Sequence, residues 1–254
     1  MTKGFVCGGV YLGGLVRNIQ NIERQIMNRQ FLKAIGSLTA VAAVIATGLV
    51  VSTQRGHADD GGDSDQSKVR IGFAIAPVPL NLTGKNRDLV GLGSYLVNAS
   101  ADCNGCHTKS PDTQYVFGGI PYFGQHPTKV NPATYMGGGS DFGPFGAVEI
   151  VSRNLTPDKT GLPEGGNTFD DFLKIMRKGT DLDKWHPTCS STSGPHCIPP
   201  PFDGSLLQVM PWPTFQNMTD NDLRAIYEYL RAIPCLEGDP GNPAGADTKG
   251  HRCH

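Results

Sequence analysis

Cys103-Asn104-Gly105-Cys106-His107 is the stretch whose reading decides the fold. Two thiols three residues apart on a helical turn can each add to one of the two vinyl groups of a single haem, and the histidine that follows then reaches the iron. Cys and His are each 7 of 254 residues, so chance supplies this triplet only about 0.005 times per chain. Two other readings compete. A thioredoxin-like pair expects a strand-helix-strand context, and a zinc site expects two further ligands at matching spacing. Neither context surrounds this motif.

Upstream of the motif, Leu89, Leu92, Tyr95 and Leu96 recur at helical spacing up to Asn98, which predicts a short helix beginning near Arg87. Downstream, residues 110–167 hold eleven glycines between Gly118 and Gly166 and one strand-like run, 147–152, so loops with a small hairpin are expected. A second helix opens at Thr168, with Asp171 three residues on and Phe169, Phe172, Leu173 and Met176 along one face, and it closes at Gly179. The stretch from Leu182 to Pro213 is broken by prolines. The last helix is the clearest: Thr219 caps it, Asp222 completes the box, Leu223, Ile226, Tyr227 and Leu230 form the stripe, and Pro234 closes it.

Gly and Pro make up 52 of 254 residues, which excludes a coiled coil or a long-helix bundle. The formal net charge of −1 argues against nucleic acid as a partner, but it conceals an asymmetry. Six of the 22 basic residues and one of the 23 acidic residues lie in residues 1–58, so the remainder carries 16 against 22, a formal −6. The basic start and the apolar run 34–51 read as an export signal, cleaved before Asp59 or retained as an N-terminal anchor. The location expected is therefore periplasmic or otherwise exported, free after cleavage or membrane-associated through this segment. Met27 opens a compact signal of ordinary length, and a start there would omit Cys7 and leave six cysteines. Residues 59–86 read as a polar linker, 87–236 as the domain and 237–254 as a C-terminal tail.

The segments Gly93–Val97 leading into Cys103–Thr108, Asn154–Asp158 with Thr160-Gly161, Phe169–Gly179, and Met210-Pro211-Trp212 running into Met218–Asp220 and Leu223–Pro234 resemble the class I c-type cytochromes. They are most similar to exported monohaem cytochromes related to the cytochrome subunits of bacterial quinoprotein and flavin dehydrogenases. The resemblance implies an all-α fold, a few short helices around one covalently attached haem c, with residues 110–167 as a long Gly/Pro-rich insertion. It also implies that the first and last helices cross, Gly93 allowing close approach and Tyr95 meeting Ile226, Tyr227 and Leu230.

Cys103 and Cys106 are thus the attachment residues and His107 the first iron ligand. A sixth ligand is usually Met, because a thioether favours reduced iron. Met210 is preferred, since the resembling family places its ligand just ahead of the last helix. Met136 in a Gly-rich loop, Met176 on an apolar helix face and Met218 before the cap are the alternatives, as is a second histidine from His126, His186 and His196. Trp185 and Trp212 fit haem-edge or ordinary packing equally. Of three pairings open to the remaining cysteines, local disulfides Cys189–Cys197 and Cys235–Cys253 are preferred, with metal binding by His251, Cys253 and His254 as the rival.

Two occupied axial positions leave no site for a substrate, so the expected function is single-electron transfer without turnover, to and from redox partners such as a dehydrogenase, an oxidase or another cytochrome. A dedicated subunit of a membrane-associated dehydrogenase is the alternative, and a five-coordinate haem sensor or enzyme a further one.

Overall fold

The computed structural model describes residues 60–108, 111–145, 148–184, 186–189, 197–238 and 251–254. The export signal, the Met27 start, Cys7, Trp185 and His196 lie outside them. The described part is mainly helical with one two-stranded sheet. Its main helices are α1 (Asp60–Ile75), α2 (Arg87–Tyr95), α3 (Cys103–Cys106), α4 (Phe169–Lys178), α5 (Trp212–Phe215) and α6 (Asp220–Leu230). The strands β1 (Asp141–Phe145) and β2 (Val148–Val151) pair antiparallel within the glycine-rich region, as the expected hairpin. Among the described residues no helix is long and apolar enough to cross a membrane.

Asn86 caps α2, its side chain accepting from the backbone N–H of Asp88 and Leu89, and the chain then continues as a wider turn over Leu96–Ser100. Caps on α4 and α6 match the sequence. Thr168 Oγ1 accepts from Asp171 N at 3.2 Å and Thr219 Oγ1 from Asp222 N at 3.1 Å, while Gly179 ends α4 with φ +65°.

The core forms where α2 crosses α6. A side chain at Gly93 would place its Cβ 1.9 Å from the carbonyl oxygen of Ala225, so the two backbones touch at this position. Val90, Val97, Leu223, Ile226, Tyr227 and Leu230 fill the seam, and Phe172 and Met176 of α4 complete it. Val90 and Val97 take the place expected of Tyr95, which is half-buried and outside this cluster. Phe169 meets Tyr227 edge-on, with ring centroids 5.3 Å apart.

Two segments read as peripheral are built in. Residues 60–75, expected as part of a polar linker, form helix α1, which lays Val69 against Leu92 and Ala225. Ser94 Oγ donates to the Gly72 carbonyl at 2.7 Å across that contact. The polar composition hid this because the contacts Val69, Gly72 and Phe73 make with α2 depend on a partner helix distant in sequence. At the other end, Cys253 is disulfide-bonded to Cys235. His251 is 2% exposed, its Nε2 lying 3.1 Å from the Pro157 carbonyl and 3.2 Å from Thr156 Oγ1. A carbonyl only accepts, so Nε2 carries the proton. The second disulfide, Cys189–Cys197, gives the expected pairing in full and leaves Cys253 unable to serve as a thiolate ligand.

Candidate functional site

The turn that carries the motif begins at Asp102, which adopts a left-handed conformation with φ +44°. Helix α3 then makes one turn, closed by His107 N donating to Cys103 O at 2.9 Å. Cys103 and Cys106 are free thiols, whereas the four other described cysteines are paired. Burial first, and then the Asp102 carboxylate, push Cys103 up to about 12 and raise Cys106 as well. Neither thiol has the lowered pKa of a reactive redox C-x-x-C.

His107 Nδ1 lies 2.8 Å from the Arg153 carbonyl oxygen. Because that oxygen can only accept, Nδ1 carries the proton and Nε2 keeps its lone pair. Burial lowers the His107 pKa, the bond to the carbonyl opposes this in part, and the nearby Arg153 charge lowers it again. A neutral ring with a free Nε2 lone pair and its other nitrogen anchored is the form a metal-ligating histidine takes.

Cys103, Cys106 and His107 line a cleft that encloses about 1380 Å³, its open mouth included. Most of the wall is apolar: Val97 from the wider turn after α2, Leu155 from a loop, Phe172, Ile175 and Met176 from α4, and Ile226 and Leu230 from α6. The residues present therefore fit a covalently held haem, with two free thiols, an oriented imidazole and an apolar slot beside them.

Of the four methionines weighed as second ligand, Met210 and Met176 line this cleft. Met176 is 4% exposed within the core cluster. Met210 is half-buried in a tight loop, where Trp212 N donates to Met210 O at 2.8 Å and Leu207 N to Gly179 O at 2.7 Å. Met218 packs on the core and is not a lining residue. Met136, expected to lack apolar support, is fully buried in the core, because its loop folds inward and Leu155 N donates to its carbonyl at 2.8 Å. His186 lines the cleft, while His126 is exposed. Trp212 is not a lining residue; its Nε1 donates to the Leu207 carbonyl at 3.2 Å.

One feature of the site escaped the sequence. Arg153 lines the cleft with Glu164 and Asp181, pairing with Asp181 at 2.5 Å, Asp183 at 3.4 Å and Glu164 at 3.9 Å. Burial alone would lower its pKa, but the three carboxylates outweigh burial and raise it. These acids lie 11, 28 and 30 residues further along the chain, in loops with no periodicity, so no local pattern announces the cluster.

A C-x-x-C-H turn opening on an apolar slot between crossing helices is compatible with the cytochrome c class of fold. Comparison with known proteins points the same way. The chain is 32% identical over 146 residues to the gluconate 2-dehydrogenase cytochrome c subunit of Pantoea cypripedii, covering 57% of this chain and 23% of that protein. It is 27% identical over 146 residues to the fructose dehydrogenase cytochrome subunit of Gluconobacter japonicus, 57% of this chain and 21% of that one. The figures for the cytochrome c subunit of the quinone alcohol dehydrogenase of Gluconobacter oxydans are 29% over 145 residues, 56% and 21%. Over this segment the chain is related to the cytochrome c subunits of bacterial dehydrogenases. The match spans less than a quarter of the length of these relatives. No family model matches the chain, and no solved structure does.

Proposed function

We propose that this chain is an exported monohaem c-type cytochrome that passes single electrons between redox proteins. The observation that carries the reading is the protonated Nδ1 of His107, anchored at 2.8 Å to the Arg153 carbonyl beside two free thiols and an apolar cleft that Met210 also lines. Bound there, haem c supplies a one-electron iron couple. Cys103 and Cys106 would hold it through thioethers, and His107 Nε2 and the Met210 sulfur would be its iron ligands. The apolar walls exclude water, and the exposed Cys106 marks the edge nearest solvent. The formal −6 of residues 59–254 favours a donor or acceptor with a basic docking face, so electron exchange slows as salt rises.

The names of the relatives favour a second reading, in which the chain serves as the electron-accepting subunit of a dehydrogenase complex. Co-purification with a dehydrogenase subunit separates it from a free carrier. The test of both is the visible spectrum of protein matured by a cytochrome c assembly system. A low-spin c-type spectrum with a Met-to-iron charge-transfer band, lost in Met210→Ala, is the expected result. A band that survives the mutation moves the ligand elsewhere, and carbon monoxide binding to the reduced wild type would show that the iron has an open coordination position.

A further inference from the structure

Two segments grip His107, the glycine-rich loop before β1 and the chain just past β2. Gly138 N–H donates to the His107 carbonyl at 2.9 Å, while the His107 ring is held by the Arg153 carbonyl at 2.8 Å. These two gripping residues press on one another. A Cβ at Gly138 would lie 2.3 Å from the carbonyl carbon of Arg153, 2.5 Å from its oxygen and 2.5 Å from Asn154 N, and φ at Gly138 is +67°. The atoms in the way belong to the peptide group that accepts the His107 ring proton. Being backbone, they cannot rotate aside.

The surrounding bonds make this a brace. Gly139 N donates to Ser152 O and Ser152 N to Ser140 O, both at 2.9 Å, extending the β1–β2 ladder to the level of Arg153. Ser140 Oγ donates to the Thr108 carbonyl at 2.6 Å, one residue past His107. The far end of Arg153 is held by Asp181, Asp183 and Glu164.

We propose that Gly138 is a positioning residue for the iron ligand: its missing side chain lets the Arg153 carbonyl sit within hydrogen-bond reach of His107 Nδ1, and through that bond it sets the reduction potential. This inference rests on the cytochrome reading above and deepens it. A hydrogen bond from the outer ring nitrogen raises the basicity of the ligating one, and hydrogen bonding around the ligand is a lever on haem potential. A more basic imidazole favours oxidised iron. Pushing the carbonyl away therefore favours the reduced form.

The experiment uses the full chain matured with covalent haem, as wild type, Gly138→Ala and Ser140→Ala. Potentiometric titration and the exchange rate of the His107 Nδ1 proton, followed by NMR of 15N-histidine-labelled reduced protein, are the two readouts. Gly138→Ala is expected to shift the reduced-to-oxidised ratio at fixed ambient potential by about threefold to tenfold toward reduced, tenfold being about 59 mV for one electron, and to speed the proton exchange. Ser140→Ala, which introduces no clash, shifts both in the same direction by less. Variants that melt earlier but keep the wild-type potential and exchange rate would confine Gly138 to packing and overturn the proposal. Should Gly138→Ala not accumulate, Ser140→Ala and the wild-type ring proton decide, and exchange of that proton at the free-imidazole rate overturns it. A wild type that takes up no covalent haem overturns the cytochrome reading first, before any variant is compared.

Discussion

Replacing Gly93 by alanine sets two physical effects against each other at one position. Gly93 lies inside α2, and in a helix interior alanine is favoured over glycine by about 1 kcal/mol. On propensity alone the variant would be more stable. The crossing reverses the sign. The new Cβ would lie 1.9 Å from the Ala225 carbonyl oxygen, 2.5 Å from its carbon and 2.7 Å from Tyr229 Cβ, against ordinary contact at 3.4 Å or more. The helices must therefore separate by about 1.5 Å, and a radial gap of roughly 0.5–1 Å already forfeits a quarter to a half of each dispersion contact across the seam. Overpacking costs about 1–3 kcal/mol in ordinary cores. With the contact against backbone, the upper end applies, and after the propensity gain about 2 kcal/mol of destabilisation remains. For a domain of this size that lowers Tm by about 4–8 °C. The assay is thermal unfolding of the haem-loaded protein followed by circular dichroism. A second variant sharpens it: Gly93→Ala with Ala225→Gly should not recover stability, because the obstructing atom is the residue 225 carbonyl and not its side chain. A Tm equal to or above wild type for the single variant, or recovery in the double, would refute this account of the crossing.

Arg153→Met leaves Asp181, 5% exposed, and Asp183 and Glu164, each 11% exposed, without their shared cation. Breaking a buried pair from one side costs roughly 3–5 kcal/mol, readable as a lower denaturant midpoint; a loss under about 1 kcal/mol would mean that water already compensates these acids. Tyr135 and Tyr229 share a hydrogen bond of 2.8 Å and both contact Asn98, at 2.6 and 3.1 Å, and burial first of all raises both phenol pKa values. Their folded values lie above the unfolded value of about 10, so the stability they contribute is complete below pH 10 and lost as pH rises beyond it; ultraviolet titration should find these two phenols ionising last, with alkaline unfolding, and reversible ionisation near pH 10 would contradict the burial. Replacing Cys235 and Cys253 together by serine opens a loop with a sequence separation of 18, for which roughly 3 kcal/mol is expected from chain entropy; an unchanged Tm would show that the docked His251 holds the tail without the disulfide.

The attachment motif, both caps at Thr168 and Thr219 and both disulfide pairings were readable because each is a local relation. A cap needs a hydroxyl three residues before an N–H, and a short-range disulfide needs two cysteines whose intervening chain can turn back. Helix α1 was missed for the opposite reason. Its apolar content is small, and Val69 acquires meaning only against Leu92 and Ala225. Met136 likewise reads as a loop residue, yet it is fully buried once its loop turns inward and Leu155 N binds its carbonyl. Among the methionines, sequence order favoured Met210 by resemblance; the cleft adds that Met136 and Met218 do not line it.

Taken by itself, the sequence determined where the C-x-x-C-H turn lies, where the two helices capped by Thr168 and Thr219 begin, and which cysteines close on each other. These depend on groups within a few turns of chain, and covalent geometry limits what such groups can do. The tertiary structure alone decided what stands behind His107. The carbonyl that accepts its ring proton lies 46 residues away, the glycine that makes room for that carbonyl 31 residues away, and the carboxylates that hold Arg153 further still. A backbone carbonyl is identical in every residue and a close approach leaves no side chain to read, so neither has a signature in sequence until the fold brings the two segments together.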